Sequence, residues 1–195
     1  MKSGVKSLYS PAQISARVAR MGKAISKHYA GKTLDVVAIL ENAFVFAADL
    51  VRHITCPVVC HFVRAEMRDV EVGGYGRREI FFTHEPQMKG RDVLLVDVVL
   101  HSGVTLDFLA KRIQESRPRS LRLAVLFDKP QDRKVGLQAD YIGFQTASNY
   151  LVGYGLAGVE GLWRNLPYAG APDGARQSSG RPRGRKRGKK GRGSR

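Results

Sequence analysis

Asp97, His101, Ser102, Gly103 and Thr105 bring an acid, an imidazole, two hydroxyls and a glycine into one short stretch, directly behind the apolar run Val93–Val96. That combination suits phosphate chemistry. Ser102-Gly103-Val104-Thr105 supplies a backbone free to turn and the unpaired N–H groups of a helix start, which attract phosphate oxygens. His101 has two readings. Imidazole titrates near neutrality and carries protons competently; a loop histidine can equally fill space and bond locally.

Such a loop works only if flanking elements hold it. Val93–Val99 reads as a strand buried on both faces, followed by a helix from Thr105 to about Ser116. Upstream, Ser10-Pro11-Ala12-Gln13 spells a capping box, Ile14, Val18, Met21, Ile25 and Tyr29 mark one helical face, and Gly31 stops the helix. Val36–Leu40 and Val58–Val63 read as strands around a helix from about Ala43 to His53, and Leu121–Phe127 as another strand. The charged, Gly-rich stretch Arg64–Arg78 predicts a mobile loop or a long hairpin, with Glu79–Thr83 returning as a short strand. Strands alternating with helices make this an α/β chain with a parallel, doubly wound sheet, whose ligands bind beyond the carboxyl ends of the strands.

Charge divides the chain in two. The ten Lys/Arg from Arg176 to Arg195, with no acid among them, leave residues 1–175 only +6 of the net +16, so tail and domain need separate explanations. Residues 1–170 form the expected domain. Residues 171–195, rich in Gly, Pro, Ser, Arg and Lys, form a basic tail too poor in apolar residues to order itself. Within it Arg181, Arg183, Arg185, Lys186, Arg187, Lys189, Lys190 and Arg192 suit a phosphate backbone, RNA first, while a solvated extension is the alternative.

Cys56 and Cys60 have no second Cys/His pair to complete a zinc site and are expected as buried thiols in a reducing compartment. Met1–Ser10 lacks the apolar stretch of a signal peptide and no run approaches a membrane span, so a cytoplasmic location is expected. Phe44, Phe46, Ile80, Phe81 and Phe82 read as core, Asp49 and Arg52 as a solvated helix face. His28, His53, His61 and His84 lack partners that suggest a site.

Several segments resemble the hypoxanthine-guanine phosphoribosyltransferases across residues 10–170: Ile39–Leu50, Lys89–Asp92 leading into Val93–Leu106, Leu126–Pro130, Tyr141–Phe144, Tyr150–Gly155 and Arg164–Tyr168. The resemblance implies a type I phosphoribosyltransferase fold with a small hood built from the N- and C-terminal segments, and a homo-oligomer. It implies transfer of ribose 5-phosphate from phosphoribosyl pyrophosphate (PRPP) to N9 of hypoxanthine or guanine, with Mg²⁺. Matching residues imply roles: Ser102, Gly103, Val104 and Thr105 at the 5′-phosphate, Asp97 at the ribose, Lys129 at purine O6, Tyr150 stacking on the base, Leu151 bonding it through its backbone, and Arg164 at pyrophosphate.

Departures fall on the chemistry. Val98 stands where the family has a second acid, His101 where it has the aspartate beside purine N7, and Glu41-Asn42 where it has Lys-Gly. The metal-side aspartate falls at Ala157 or Gly158, and the Ser-Tyr pair of the mobile loop is missing near Glu66-Met67-Arg68. The sequence therefore predicts a purine-nucleotide-binding homologue with a degraded PRPP, Mg²⁺ and catalytic site; the alternative is an enzyme making IMP or GMP with His101 in the aspartate's place.

Overall fold

The computed structural model describes residues 4–72, 75–82, 87–148 and 150–172 of the chain, and the side chains of 66–82 lie outside that description. Residues 173–195 of the expected tail, like His84 and the side chains of Ile80, Phe81 and Phe82, therefore lie outside the described residues.

Five parallel strands form the centre: β2 (Leu34–Leu40), β3 (Val58–Val72), β5 (Asp92–Leu100), β6 (Ser120–Asp128) and β7 (Tyr141–Gln145). An antiparallel β4 (Tyr75–Phe82) folds back on the long outer half of β3, giving the order β4-β3-β2-β5-β6-β7. Of the two expectations for Arg64–Arg78, the long hairpin is the structure. From β2 the chain steps outward to β3, then returns to β5 on the other side. The crevice beyond the carboxyl ends of β2 and β5 is thus the topological switch point, where doubly wound sheets bind ligands.

Helix α1 (Pro11–His28) begins with the expected capping box: Gln13 N–H donates to Ser10 Oγ at 3.3 Å and Ser10 N–H to Gln13 Oε1 at 2.8 Å. Its apolar face and that of α2 (Phe44–Arg52) cover one side of the sheet against Val36, Ala38, Leu94 and Val96. Helix α3 (Val104–Glu115) covers the other with Leu106, Leu109 and Ile113 against Val37, Ile39, Val93 and Leu95. The even and odd residues of β2, and of β5 as far as Val98, go to opposite layers because side chains alternate across a strand.

β1 (Val5–Tyr9), not foreseen from the sequence, pairs antiparallel with β8 (Ala169–Pro172), joining the two ends of the domain in a small second sheet. This is the expected hood. Among the described residues no helix is long and apolar enough to cross a membrane.

Some expectations need correction. Cys60 is exposed and Cys56 only partly buried; Cys60 lines an open cavity between β3 and α2 instead of packing into the core. Phe44 is 46% exposed rather than core, lining an open cavity with Val36, Ala38, Cys60 and Phe62, whereas Phe46 is fully buried. Asp49 accepts a hydrogen bond from Tyr154 Oη at 2.6 Å, tying α2 to the C-terminal segment, while Arg52 beside it is exposed. His61 does have a partner: its Nε2 lies 2.9 Å from Asp35 Oδ1, and Asp35 also takes both donors of Arg91 at 2.7 and 3.1 Å. That buried carboxylate clamps β2, β3 and the entry to β5 away from the crevice, so its role is to hold the strands together.

Candidate functional site

The loops after β2, β5 and β6 meet at the crevice. After β5, Gly103 takes φ +81° and serves as the N-cap of α3, a conformation that favours a residue without Cβ. A Cβ at Gly103 would also stand 2.8 Å from Val135 Cγ2 and 3.2 Å from Arg133 Cδ. Lys134 N–H donates to Ser102 O at 2.9 Å, and Asp107 N–H to Gly103 O at 2.8 Å, so the turn is fixed from behind and from within the helix. The first N–H groups of α3 are thereby aimed outward beside the half-buried hydroxyls of Ser102 and Thr105 and the exposed Val104.

Beside this loop lies a cleft of about 300 Å³ between His101, Lys129, Tyr150 and Leu151, with Val99 and Leu156 as further walls. Four residues expected at a purine, from three separate segments, are brought together there. Tyr150 keeps 42% of its surface exposed, which leaves its ring available to stack, while Leu151 is buried. Lys129 N–H bonds Leu100 O at 3.0 Å, locking the end of β6 to the end of β5.

A single 3-10 turn, Pro130–Asp132, then brings Asp132 back over the cleft. Its Oδ2 lies 3.0 Å from Lys129 Nζ and 3.0 Å from His101 Nε2. Lys129 first, and His101 after it, hold the Asp132 carboxyl below its ordinary range. Asp132 thus orients the imidazole and neutralises the lysine. Sequence reading missed it; the available signal was an acid three residues beyond Lys129 in a Pro-led turn.

Asp97 sits farther down β5, its carboxyl desolvated although part of the residue reaches the surface. Burial pushes it up to about 7, against the opposing bonds from Val98 N–H, at 2.7 Å, and Val99 N–H. Val98 itself is buried under the α1/α2 layer and presents nothing to a ligand.

Across the crevice, Glu41 faces two arginines: Oε1 lies 3.2 Å from Arg64 and Oε2 3.5 Å from Arg164. Arg164 also donates to Asn42 Oδ1 at 2.7 Å and to Gly155 O at 2.6 Å.

A sequence model of the phosphoribosyl transferase domain matches residues 4–157. The chain is similar to the hypoxanthine-guanine phosphoribosyltransferase of Bacillus subtilis, 30% identical over 165 residues that cover 85% of this chain and 91% of the relative. The chain belongs to the hypoxanthine-guanine phosphoribosyltransferase family. It is similar also to the Lactococcus lactis member, 33% identical over 85% of this chain and 89% of that one. The crystal structure of a Bacillus anthracis hypoxanthine-guanine phosphoribosyltransferase superposes with TM-score 0.77 at 34% identity, covering 86% of this chain and 98% of that one.

Family membership implies Mg²⁺, so the side chains must be weighed as its ligands. Mg²⁺ takes one or two carboxylates besides waters and substrate phosphates. Here Ala157 and Gly158 offer no donor, and a Cβ at Gly158 would fall 2.2 Å from the Trp163 ring, so the indole fills the room an aspartate there would need. Glu41 is held by its two arginines, and the desolvated Asp97 favours its neutral form up to about neutral pH. These residues do not fit a divalent cation held by the protein. Trp163 was a second residue that sequence reading passed over, since nothing in its neighbours marks it as a wall of the site.

Proposed function

We propose that this family member binds a 6-oxopurine nucleoside 5′-monophosphate and turns over PRPP weakly or not at all. The observation that carries this reading is the cleft that brings His101, Lys129, Tyr150 and Leu151 together, with the Ser102–Thr105 loop following His101 directly in the chain at the start of α3. The base would lie on Tyr150, with its O6 accepting from Lys129 and its edge bonded by the Leu151 backbone. Ser102, Gly103, Val104 and Thr105 would take the 5′-phosphate, and Asp97 the ribose hydroxyls. The features that speak against efficient turnover are Val98 in the core, Trp163 against Gly158, and Glu41 beside Arg164.

One observation favours the enzymatic alternative. His101 is held by Asp132, the arrangement a working imidazole needs. In that reading the N9–C1′ bond forms as the C1′–O bond breaks, pyrophosphate leaves with the electron pair, and His101 takes the proton shed by the purine.

Calorimetry with GMP, IMP and AMP tests the main reading. GMP and IMP are expected to bind more tightly than AMP, and Tyr150→Ala is expected to lower GMP affinity about 10-fold or more, since one base stack contributes about 1–3 kcal/mol. No binding of either 6-oxopurine nucleotide refutes it. Incubation with radiolabelled hypoxanthine and PRPP separates the alternative: product that disappears with His101→Ala makes the chain an enzyme.

The proposal extends to the tail. Its Lys/Arg cluster from Arg181 to Arg192 would hold RNA through phosphate contacts, in a cytoplasmic protein that self-associates as its family does. Deletion after Gly174 should abolish RNA retention in a filter-binding assay and remove its salt dependence. Unchanged retention would reassign the RNA contact to the domain.

A further inference from the structure

We infer that Glu41 is a resident anion that occupies the two-arginine clamp of the crevice, and that it restricts the site to ligands with a single phosphate. The inference rests on the nucleotide-binding reading above and adds which phosphate esters the site admits.

The geometry uses the clamp's hydrogen-bonding capacity from inside the protein. Each Glu41 carboxylate oxygen faces a different guanidinium, Oε1 that of Arg64 and Oε2 that of Arg164, at 3.2 and 3.5 Å. On the other nitrogen of the Arg164 fork, both N–H groups are taken: one by Asn42 Oδ1 at 2.7 Å, the other by Gly155 O at 2.6 Å. Asn42 and Gly155 are further coupled through space, since a Cβ at Gly155 would stand 2.6 Å from Asn42 O. Arg164 is therefore fixed by two hydrogen bonds and an ion pair and is three-quarters buried, whereas Arg64 reaches across from β3 with its side chain 56% exposed. Glu41 also lies two residues ahead of Ala43, the N-cap of α2, which has no side-chain capping bond; a carboxylate near that end is favoured by the helix dipole.

A second phosphoryl group entering here meets donors already engaged and a carboxylate of its own sign. Arginine pairs with carboxylate and phosphate alike, so Glu41 is a chemical substitute for a phosphate and competes with it from within the chain. On the other side of the crevice the Ser102–Thr105 loop itself contains no acid, and Asp107 in the first turn of α3 is paired with Lys111, so the loop accepts one phosphate. The site therefore discriminates a monophosphate from a diphosphate-bearing ligand by charge already in place, with Glu41 as the specificity-determining residue.

Inorganic pyrophosphate, titrated by calorimetry without divalent cations into the full chain, tests this. Glu41→Gln keeps the size and removes the charge; Glu41→Ala removes both, and a thermal melt checks that each folds. Both variants are expected to bind pyrophosphate about 10-fold or more tightly than the unaltered chain, the scale of one hydrogen bond to a charged group. Adding Arg164→Ala to Glu41→Gln should cancel the gain. Equal pyrophosphate affinity before and after removal of Glu41 overturns the inference, as does a gain that survives Arg164→Ala. GMP is titrated in parallel: absence of GMP binding with a retained pyrophosphate gain refutes the monophosphate reading and leaves the clamp standing, and the reverse pattern does the opposite.

Discussion

Gly103→Ala is expected to remove nucleotide binding and to destabilise the domain by about 2–5 kcal/mol. Two costs add. A Cβ at φ +81° enters the left-handed region, where an L side chain costs about 1–2 kcal/mol. That same Cβ would stand 2.8 Å from Val135 Cγ2, and relieving such overpacking costs about 1–3 kcal/mol. The shift needed is in the turn that aims the first N–H groups of α3, so the phosphate cradle opens as the strain relaxes. Gly31→Ala is the control: its φ is +74°, but nothing lies within 4 Å of the added carbon, so only the conformational cost applies. Urea denaturation of both variants, with GMP calorimetry on each, measures the difference. Equal losses of stability would show that Val135 yields freely and that the space around Gly103 is not constrained.

Asp97→Asn is expected to stabilise the protein above pH 7 while weakening its hold on a nucleotide. The Asp97 carboxyl is raised from 3.8 to about 7, chiefly by burial. A raised acid binds its proton more tightly folded than unfolded. Between about pH 4 and pH 7 the native state therefore carries the extra proton, and stability falls as pH rises through that window. Above it the full penalty of a desolvated carboxylate remains, on the order of 4 kcal/mol for a shift of this size. Asparagine keeps an oxygen for the Val98 and Val99 N–H groups and loses the charge. The gain should be largest at pH 8 and vanish near pH 4. Denaturation at those two pH values decides it: a gain equal at both would mean that packing, not ionisation, separates the two side chains. The cost falls on ligand affinity, because a ribose hydroxyl would lose its charged acceptor, a trade between stability and function common at binding sites.

Much of the framework could be read locally. The α1 start was visible because a capping box is defined by residues three apart, and its core face because Ile14, Val18, Met21, Ile25 and Tyr29 recur at helical spacing. The β5–loop–α3 unit was visible for the same reason: an apolar run, a small-residue turn and a helix follow one another without interruption. β1 and β8 escaped notice because each is short and stable only against the other, 160 or so residues away in the chain. Phe44 was misread since its apolar character says nothing about which way the first turn of α2 faces.

The site divides along the same line. The sequence alone pointed to a phosphate-type loop at Ser102–Thr105 with an acid in front of it, because these are matters of residue type and short-range order, while His101, Lys129, Tyr150 and Leu151 were marked as a purine set by the family resemblance. The tertiary structure decided what surrounds them. It brought Asp132 between Lys129 and His101, closed Arg64 and Arg164 on Glu41, laid Trp163 on Gly158, and desolvated Asp97. The His101–Asp132, Glu41–Arg64 and Glu41–Arg164 contacts join segments far apart in the chain. Their side chains meet only after the sheet has set the order and register of those strands, and that order is a property of the packed core, not of any stretch of sequence.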